Sequence, residues 1–142
     1  MPFHFPHRWY YLLEDTPSEK GCYLLRLSLE QAAFIKVGKL GETLFESGYY
    51  FYAGSALGRG GLRGRLRHHL SSHPKFHWHI DWVIPYMRIQ GWAVETGLER
   101  KECLWSQALF RMPGAFCPLP GFGASDCRNG CISHLIGFKD GF

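Results

Sequence analysis

The stretch GYYFYAGSA (48–56) sets Tyr52 directly before Ala53, Gly54 and Ser55. Aromatic residues favour strands and small residues break them. A strand is therefore expected to end here, delivering Tyr52 to a point where Gly54 lets a ligand approach the backbone. A second tyrosine, Tyr23, follows Gly21 and Cys22 at the head of another apolar run, GCYLLRLSLE. Taken singly, each tyrosine reads as strand packing. The stretch LGRGGLRGRLRHHL (57–70) makes them more interesting. Leu62, Leu66 and Leu70 recur every four residues and predict a helix. On that helix Arg65 and His69 share a face, Arg63 and Arg67 form a neighbouring row, and Arg59 sits in the glycine-rich entry. A helix N-terminus after glycines offers N–H groups and the positive end of a dipole, which suits a phosphate. The plainer reading is a solvated basic face.

Two further clusters could hold a metal. In FHWHIDWVI (76–84), His77, His79 and Asp81 would share one face of a strand. The competing reading is structural, with these residues under an aromatic core. Cys127, Cys131 and His134 have metal-like spacing, with Cys117 or Asp126 available as a fourth ligand. Regular zinc sites more often use two-residue gaps, and buried free cysteines are common. No zinc is expected, and these residues are assigned to a closing strand and its turn.

The elements that must position these residues read as follows. Residues 1–20 form an N-terminal aromatic arm, and 21–142 the domain. Strands are expected over 21–30, 31–37 and 49–53, with 43–45 pairing as well, in an antiparallel meander. The helix over 62–70 stops at Pro74. Segment 76–84 is a strand or a short helix, and 91–95 a strand. A second helix over 98–110 turns Leu98, Trp105 and Leu109 inward. A loop rich in Pro and Gly follows over 113–123. Asn129-Gly130 predicts a hairpin turn, and 131–138 the closing strand. The fold class is α+β: a small mixed or antiparallel sheet flanked by helices.

With 142 residues, 46% of them hydrophobic, the chain fits one domain with a real core. The net charge of +4 permits a nucleic-acid partner without requiring one. No apolar run reaches the roughly 18 residues of a membrane span, and the N-terminus lacks the layout of a signal peptide. Five unevenly placed cysteines argue against a secreted disulfide framework. A soluble cytoplasmic protein is expected.

In order and spacing the motifs resemble the GIY-YIG nuclease superfamily. Gly21-Cys22-Tyr23 stands for its first motif, Tyr52-Ala53-Gly54 with Ser55 for its second, and Arg65 with His69 for its helix pair. The chain is most similar to a small stand-alone branch of unknown biology, at times fused to endonuclease III in archaea. "GLRGRLRHHL", "HWHIDWV" and "GFGASDC…SHL" look typical of that branch, and the likeness covers about residues 20–138. It departs in the middle residues of both motifs, Cys22 and Ala53. The 28 residues between Tyr23 and Tyr52 exceed the usual gap and imply an added strand or hairpin. Many relatives carry a late Asn at the site. Here the sole Asn, Asn129, falls in the expected turn, so that role is vacant or taken by another residue.

The resemblance implies a metal-dependent DNA endonuclease. Tyr23 would help to activate water, as a phenolate favoured by nearby Arg and metal charge. Arg65 would hold phosphate oxygens, Tyr52 and His69 would position groups or relay protons, and Glu102 would bind one divalent cation, Mg²⁺ or Mn²⁺. Glu99, one helical turn earlier, is the alternative ligand. Gly54, Ser55, Arg59, Arg63 and Arg67 would contact DNA, as would His77, preferred over His79. Two rival readings are a nucleic-acid-binding module that does not cleave, and a partner-binding domain whose Tyr, Arg and Glu cluster is structural.

Overall fold

The computed structural model describes residues 5–6, 8–71, 75–124, 127 and 129–139. Its centre is a pair of nine-residue strands, β2 (Gly21–Leu29) and β5 (Gly48–Ala56), antiparallel over their whole length. Both read as near-continuous apolar runs because both faces of the sheet are covered. β6 (Arg88–Thr96) pairs with the other side of β2. β8 (Leu135–Phe138) pairs with β5, and β7 (Ala115–Phe116) with β8. Trp9 and Tyr10 form β1, which pairs antiparallel with β6 and completes the order β1-β6-β2-β5-β8-β7. The fold is α+β with a mostly antiparallel six-stranded sheet.

Alternation along the strands sorts side chains to two cores. Tyr23, Leu25 and Leu27 of β2 and Tyr50 and Tyr52 of β5 point to one face. There they meet Leu62 and Leu66 of helix α1 (Gly61–Leu70) and Ile80 and Val83 of the short helix α2 (His79–Val83). Cys22, Leu24, Phe51 and Ala53 point to the opposite face, under Trp105 and Leu109 of α3 (Glu102–Phe110). Each large apolar side chain buried this way contributes about 1.5–3 kcal/mol.

Several expectations change. The long gap between Tyr23 and Tyr52 does hold an added hairpin, β3 (Ala33–Lys36) with β4 (Glu42–Phe45), but it forms a separate two-stranded sheet. β2 and β5 pair directly, so the strands are not a simple meander. β5 does not end at Ala53; it runs through Gly54 and Ser55 to Ala56, because Gly54 lies opposite Tyr23 and its missing side chain is filled by that ring. Of the two forms expected for segment 76–84, strand or short helix, the helix holds from His79: the Asp81 carboxylate accepts the N–H groups of His77 (2.8 Å) and Trp78 (3.0 Å) and so caps α2. α3 begins at Glu102, and Leu98 lies outside it, 74% exposed rather than inward. The closing strand is shorter than expected, and Cys131 and His134 precede it. β8 pairs with β5 and β7, so Asn129-Gly130 does not join a hairpin. The stop expected at Pro74 lies outside the described residues; α1 ends at Leu70, where Ser71 donates its N–H to the His68 carbonyl (3.2 Å).

The N-terminal segment is tied in. The buried Thr16 hydroxyl accepts the indole N–H of Trp92 (2.9 Å), and the Thr16 carbonyl accepts Nε–H of Arg63 (2.8 Å). Among the described residues no helix is long and apolar enough to cross a membrane.

Candidate active site

The two central strands bring Tyr23 and Tyr52 to the α1 side of the sheet, with ring centroids 6.2 Å apart. Tyr23 faces Gly54 across the strand pair. A Cβ on Gly54 would lie 2.6 Å from both Cζ and the hydroxyl of Tyr23. What comes so close to Gly54 is therefore the phenol of the partner strand. The tyrosine expected to be waiting for a ligand beside Gly54 has a second tyrosine resting on that glycine.

α1 supplies the other half. His69 is buried, and its Nε2 lies 2.7 Å from the Tyr23 hydroxyl. Arg65, four residues earlier on the same face, donates from Nη1 to the Ser55 carbonyl (2.8 Å). Its guanidinium stacks on the Trp78 ring at 4.1 Å. Tyr23 is 0% exposed. Burial, with the neighbouring Tyr52 adding to it, pushes its phenol well above the ordinary value; Arg65 pulls the other way and loses. Among the protein's own groups the balance therefore favours the neutral phenol of Tyr23, and the phenolate expected for it would need the charge of a cation as well. Burial likewise pushes Tyr52 up to about 12.

Tyr52, 7% exposed, touches an open cavity of about 900 Å³ at the end of β5. Gly54, Ser55, Arg65 and Glu102 line the same cavity. The body of α3 packs on the face opposite the tyrosines, but Glu102 is its first residue and reaches round the strand end. Its carboxylate is 12% exposed, and Arg100 Nη1 lies 3.7 Å away. The first turn of a helix suits a carboxylate, since the dipole's positive end is there. Glu99 is elsewhere: it pairs with Lys101 (3.3 Å) and is exposed.

The expected basic residues divide. Arg59 and Arg65 line a smaller hollow of about 210 Å³ that shares Gly58, Arg65 and Trp78 with the main cavity. Arg63, whose Nε–H goes to the Thr16 carbonyl, and Arg67, exposed on α1, line neither. At the α1 N-terminus Leu62 gives its N–H to the Glu19 carbonyl (2.9 Å), while Gly61 and Gly64 line the smaller hollow. His77 is exposed beside His68 and Trp78, outside the main cavity. His79 accepts the Gly123 N–H at Nδ1 (2.8 Å), and Asp81 also bonds His68 (3.0 Å). These three do not form the one-faced strand set.

Sequence reasoning missed several residues of the cavity wall, Arg100, Asn129 and Cys103 among them. Arg100 lines it and donates to the Ser55 hydroxyl (3.1 Å). Its position two residues before Glu102 was the available signal. Asn129 also lines it, although its turn-like sequence context argued for a hairpin tip. Cys103, next to Glu102, lines it with Cys127 and His134.

A family model described as a domain of unknown function, DUF123, matches residues 22–141, most of the chain. The chain belongs to DUF123. No curated protein and no solved structure matches it. The span that defines this DUF123 domain begins one residue before Tyr23 and so contains every cavity residue named above.

Proposed function

We propose that this DUF123 domain is a metal-dependent phosphodiester hydrolase of the GIY-YIG type that acts on DNA. The observation that carries the reading is one open cavity lined by Tyr52, Arg65 and Glu102, with the Tyr23–His69 pair directly behind it. A guanidinium carries five N–H donors, so the Arg65 contact to Ser55 leaves capacity for phosphate oxygens. Arg100 adds a second cation to the same wall. Charge developing on the phosphate would meet donors already fixed in place. The Tyr52 hydroxyl, kept protonated, can donate to water or to an oxygen of the substrate. Tyr23 and His69 are hydrogen-bonded at 2.7 Å, a pair that can take up or return a proton.

The donor set fits a hard divalent cation. Glu102 offers a single carboxylate to a cavity with room for water, and Mg²⁺ keeps several waters and takes one or two carboxylates. Mg²⁺ or Mn²⁺ held there would lower the pKa of a bound water and neutralise phosphate charge.

The burial of Tyr23 favours a second reading, in which the site binds nucleic acid without cutting it. Incubation with nicked, flapped, branched and single-stranded DNA, with Mg²⁺ or Mn²⁺, separates the two. Cleavage that Glu102→Gln abolishes while DNA affinity stays supports hydrolysis. Binding without cleavage of any substrate supports the second reading. Cleavage undiminished in Glu102→Gln ends the assignment of that residue.

A further inference from the structure

Cys103 stands on the first turn of α3, and Cys127, Cys131 and His134 come from the long segment that leads into β8. Their Sγ and ring nitrogen atoms all lie within 4.8 Å of one another. Cys103 Sγ is 3.2 Å from Cys127 Sγ and 3.5 Å from His134 Nε2. Zinc binds sulfur at about 2.3 Å and imidazole nitrogen at about 2.0–2.1 Å. A tetrahedron of those bonds has edges of about 3.8 Å between sulfurs and about 3.5 Å from sulfur to nitrogen. The Cys103–His134 separation matches such an edge, the Cys103–Cys127 separation of 3.2 Å is shorter than one, and all four atoms fall within the span of a single site. They are too far apart for a disulfide, whose sulfurs lie about 2.05 Å apart.

The surroundings match the role. Asn129 directs its backbone N–H at Cys127 Sγ (3.4 Å), and Gln107 directs Nε2 at Cys131 Sγ (3.7 Å). Such donors offset the charge of ligating thiolates, and their presence around the ligands is what an outer shell requires. His134 is buried, and its backbone N–H is fixed on the Phe122 carbonyl (2.8 Å). Three thiolates and one imidazole form a soft donor set that selects zinc over Mg²⁺ or Ca²⁺. Four protein ligands close the coordination sphere, as in structural sites.

We infer that Cys103, Cys127, Cys131 and His134 form a structural Zn²⁺ site, separate from the carboxylate of Glu102. This reverses the expectation that Cys127, Cys131 and His134 bind no metal. Neither Cys117 nor Asp126 is needed as the fourth ligand, because α3 provides it from Cys103. Asp126 itself lies outside the described residues. The consequence is mechanical. The ion would fasten the segment that carries Asn129 to the helical turn that carries Glu102, and so fix two walls of the cavity against each other.

The test uses the full chain, purified without chelators from cells supplied with zinc. Elemental analysis is expected to give about one zinc per chain. Replacement of the ion by Co²⁺ should give the intense d–d and thiolate charge-transfer bands of a tetrahedral thiolate site. Cys103→Ser and His134→Ala should each lose most of the bound metal, while Cys117→Ser and Cys22→Ser keep it. Since a ligand variant could fail to fold, the cobalt spectrum of the parent stands as an independent readout. A parent chain with no zinc and Cys103 joined to Cys127 in non-reducing peptide maps would overturn the inference. So would zinc retained in full by folded Cys103→Ser, or a cobalt spectrum without thiolate bands.

Discussion

Replacing Gly54 by Ala adds one methyl group at the most crowded backbone position of the site. Gly54 does not occupy the left-handed region, so alanine can adopt its backbone conformation. In a strand alanine even regains about 0.5–1 kcal/mol over glycine. The cost is therefore steric. The new Cβ would lie 2.6 Å from Cζ and the hydroxyl of Tyr23, and 2.9 Å from its Cε1. The ring cannot swing into solvent, because it is wholly buried against Tyr52 and His69. Overpacking of this kind costs about 1–3 kcal/mol. Losing the bond from the Tyr23 hydroxyl to His69 adds about 1 kcal/mol. After the backbone gain, a net loss of about 1–3 kcal/mol is expected, a fall in Tm of roughly 2–10 °C. Urea denaturation of the parent, Gly54→Ala, Tyr23→Leu and the double variant isolates the clash. The double variant should be about 1–3 kcal/mol more stable than the sum of the single effects predicts. Effects that add within about 0.5 kcal/mol would refute the claim that the glycine exists to seat the phenol.

Binding of B-DNA should weaken with salt, by about 0.9 in log–log slope per phosphate contact. Fluorescence anisotropy should show Arg65→Gln or Arg100→Gln flattening that slope by about one unit each, and Arg63→Gln changing it less, since Arg63 lines neither the main cavity nor the smaller hollow. An Arg63 effect as large as that of Arg65 would move the footprint. Burial acts to raise the Asp81 carboxyl, but the N–H groups of Trp78 and His77 and the His68 ring outweigh it, so its pKa is lowered in the fold. Its contribution is then fully present above the unfolded value near 3.9 and is lost as pH falls through the lower folded value. Asp81→Asn should accordingly lose stability at pH 7 and show a shallower decline below about pH 4 in thermal melts. Thr16→Val leaves the buried Trp92 N–H without its acceptor and should cost about 1–3 kcal/mol in urea; a cost near zero would mean that the bond carries nothing.

The parts of the fold written in local chemistry were legible. Leu62 and Leu66 repeat at helical spacing and both reach the core, and the aromatic run of β5 lies in the sheet. Misreadings arose where a distant partner decides. Gly54 looks like a strand end when read along the chain, and only its cross-strand neighbour shows it to be a seat for Tyr23. Segment 76–84 stayed open between strand and short helix because alternation is blind to a carboxylate that folds back on the two N–H groups before α2. The basic row of α1 gave composition without direction: nothing near Arg63 in sequence foretold its use by Thr16, 47 residues away. Cys103 lies 24 residues before Cys127, so no spacing rule joined it to the late cysteines. The cavity brings together the end of β5, one face of α1 and the first turn of α3, and that meeting exists only once the sheet is assembled.

The family match starts at Cys22, yet the sheet does not. Trp9 and Tyr10 occupy the free side of β6. A fragment cut to the family boundary would bare the hydrogen-bonding groups of β6 along that side, beside a tryptophan deprived of its threonine. An uncovered apolar edge is a template on which further copies can add. Such a fragment would be prone to self-association through β6 even with every cavity residue present. Insolubility in a trimmed version would report on that missing flank, not on an inability of the cavity-bearing part to fold.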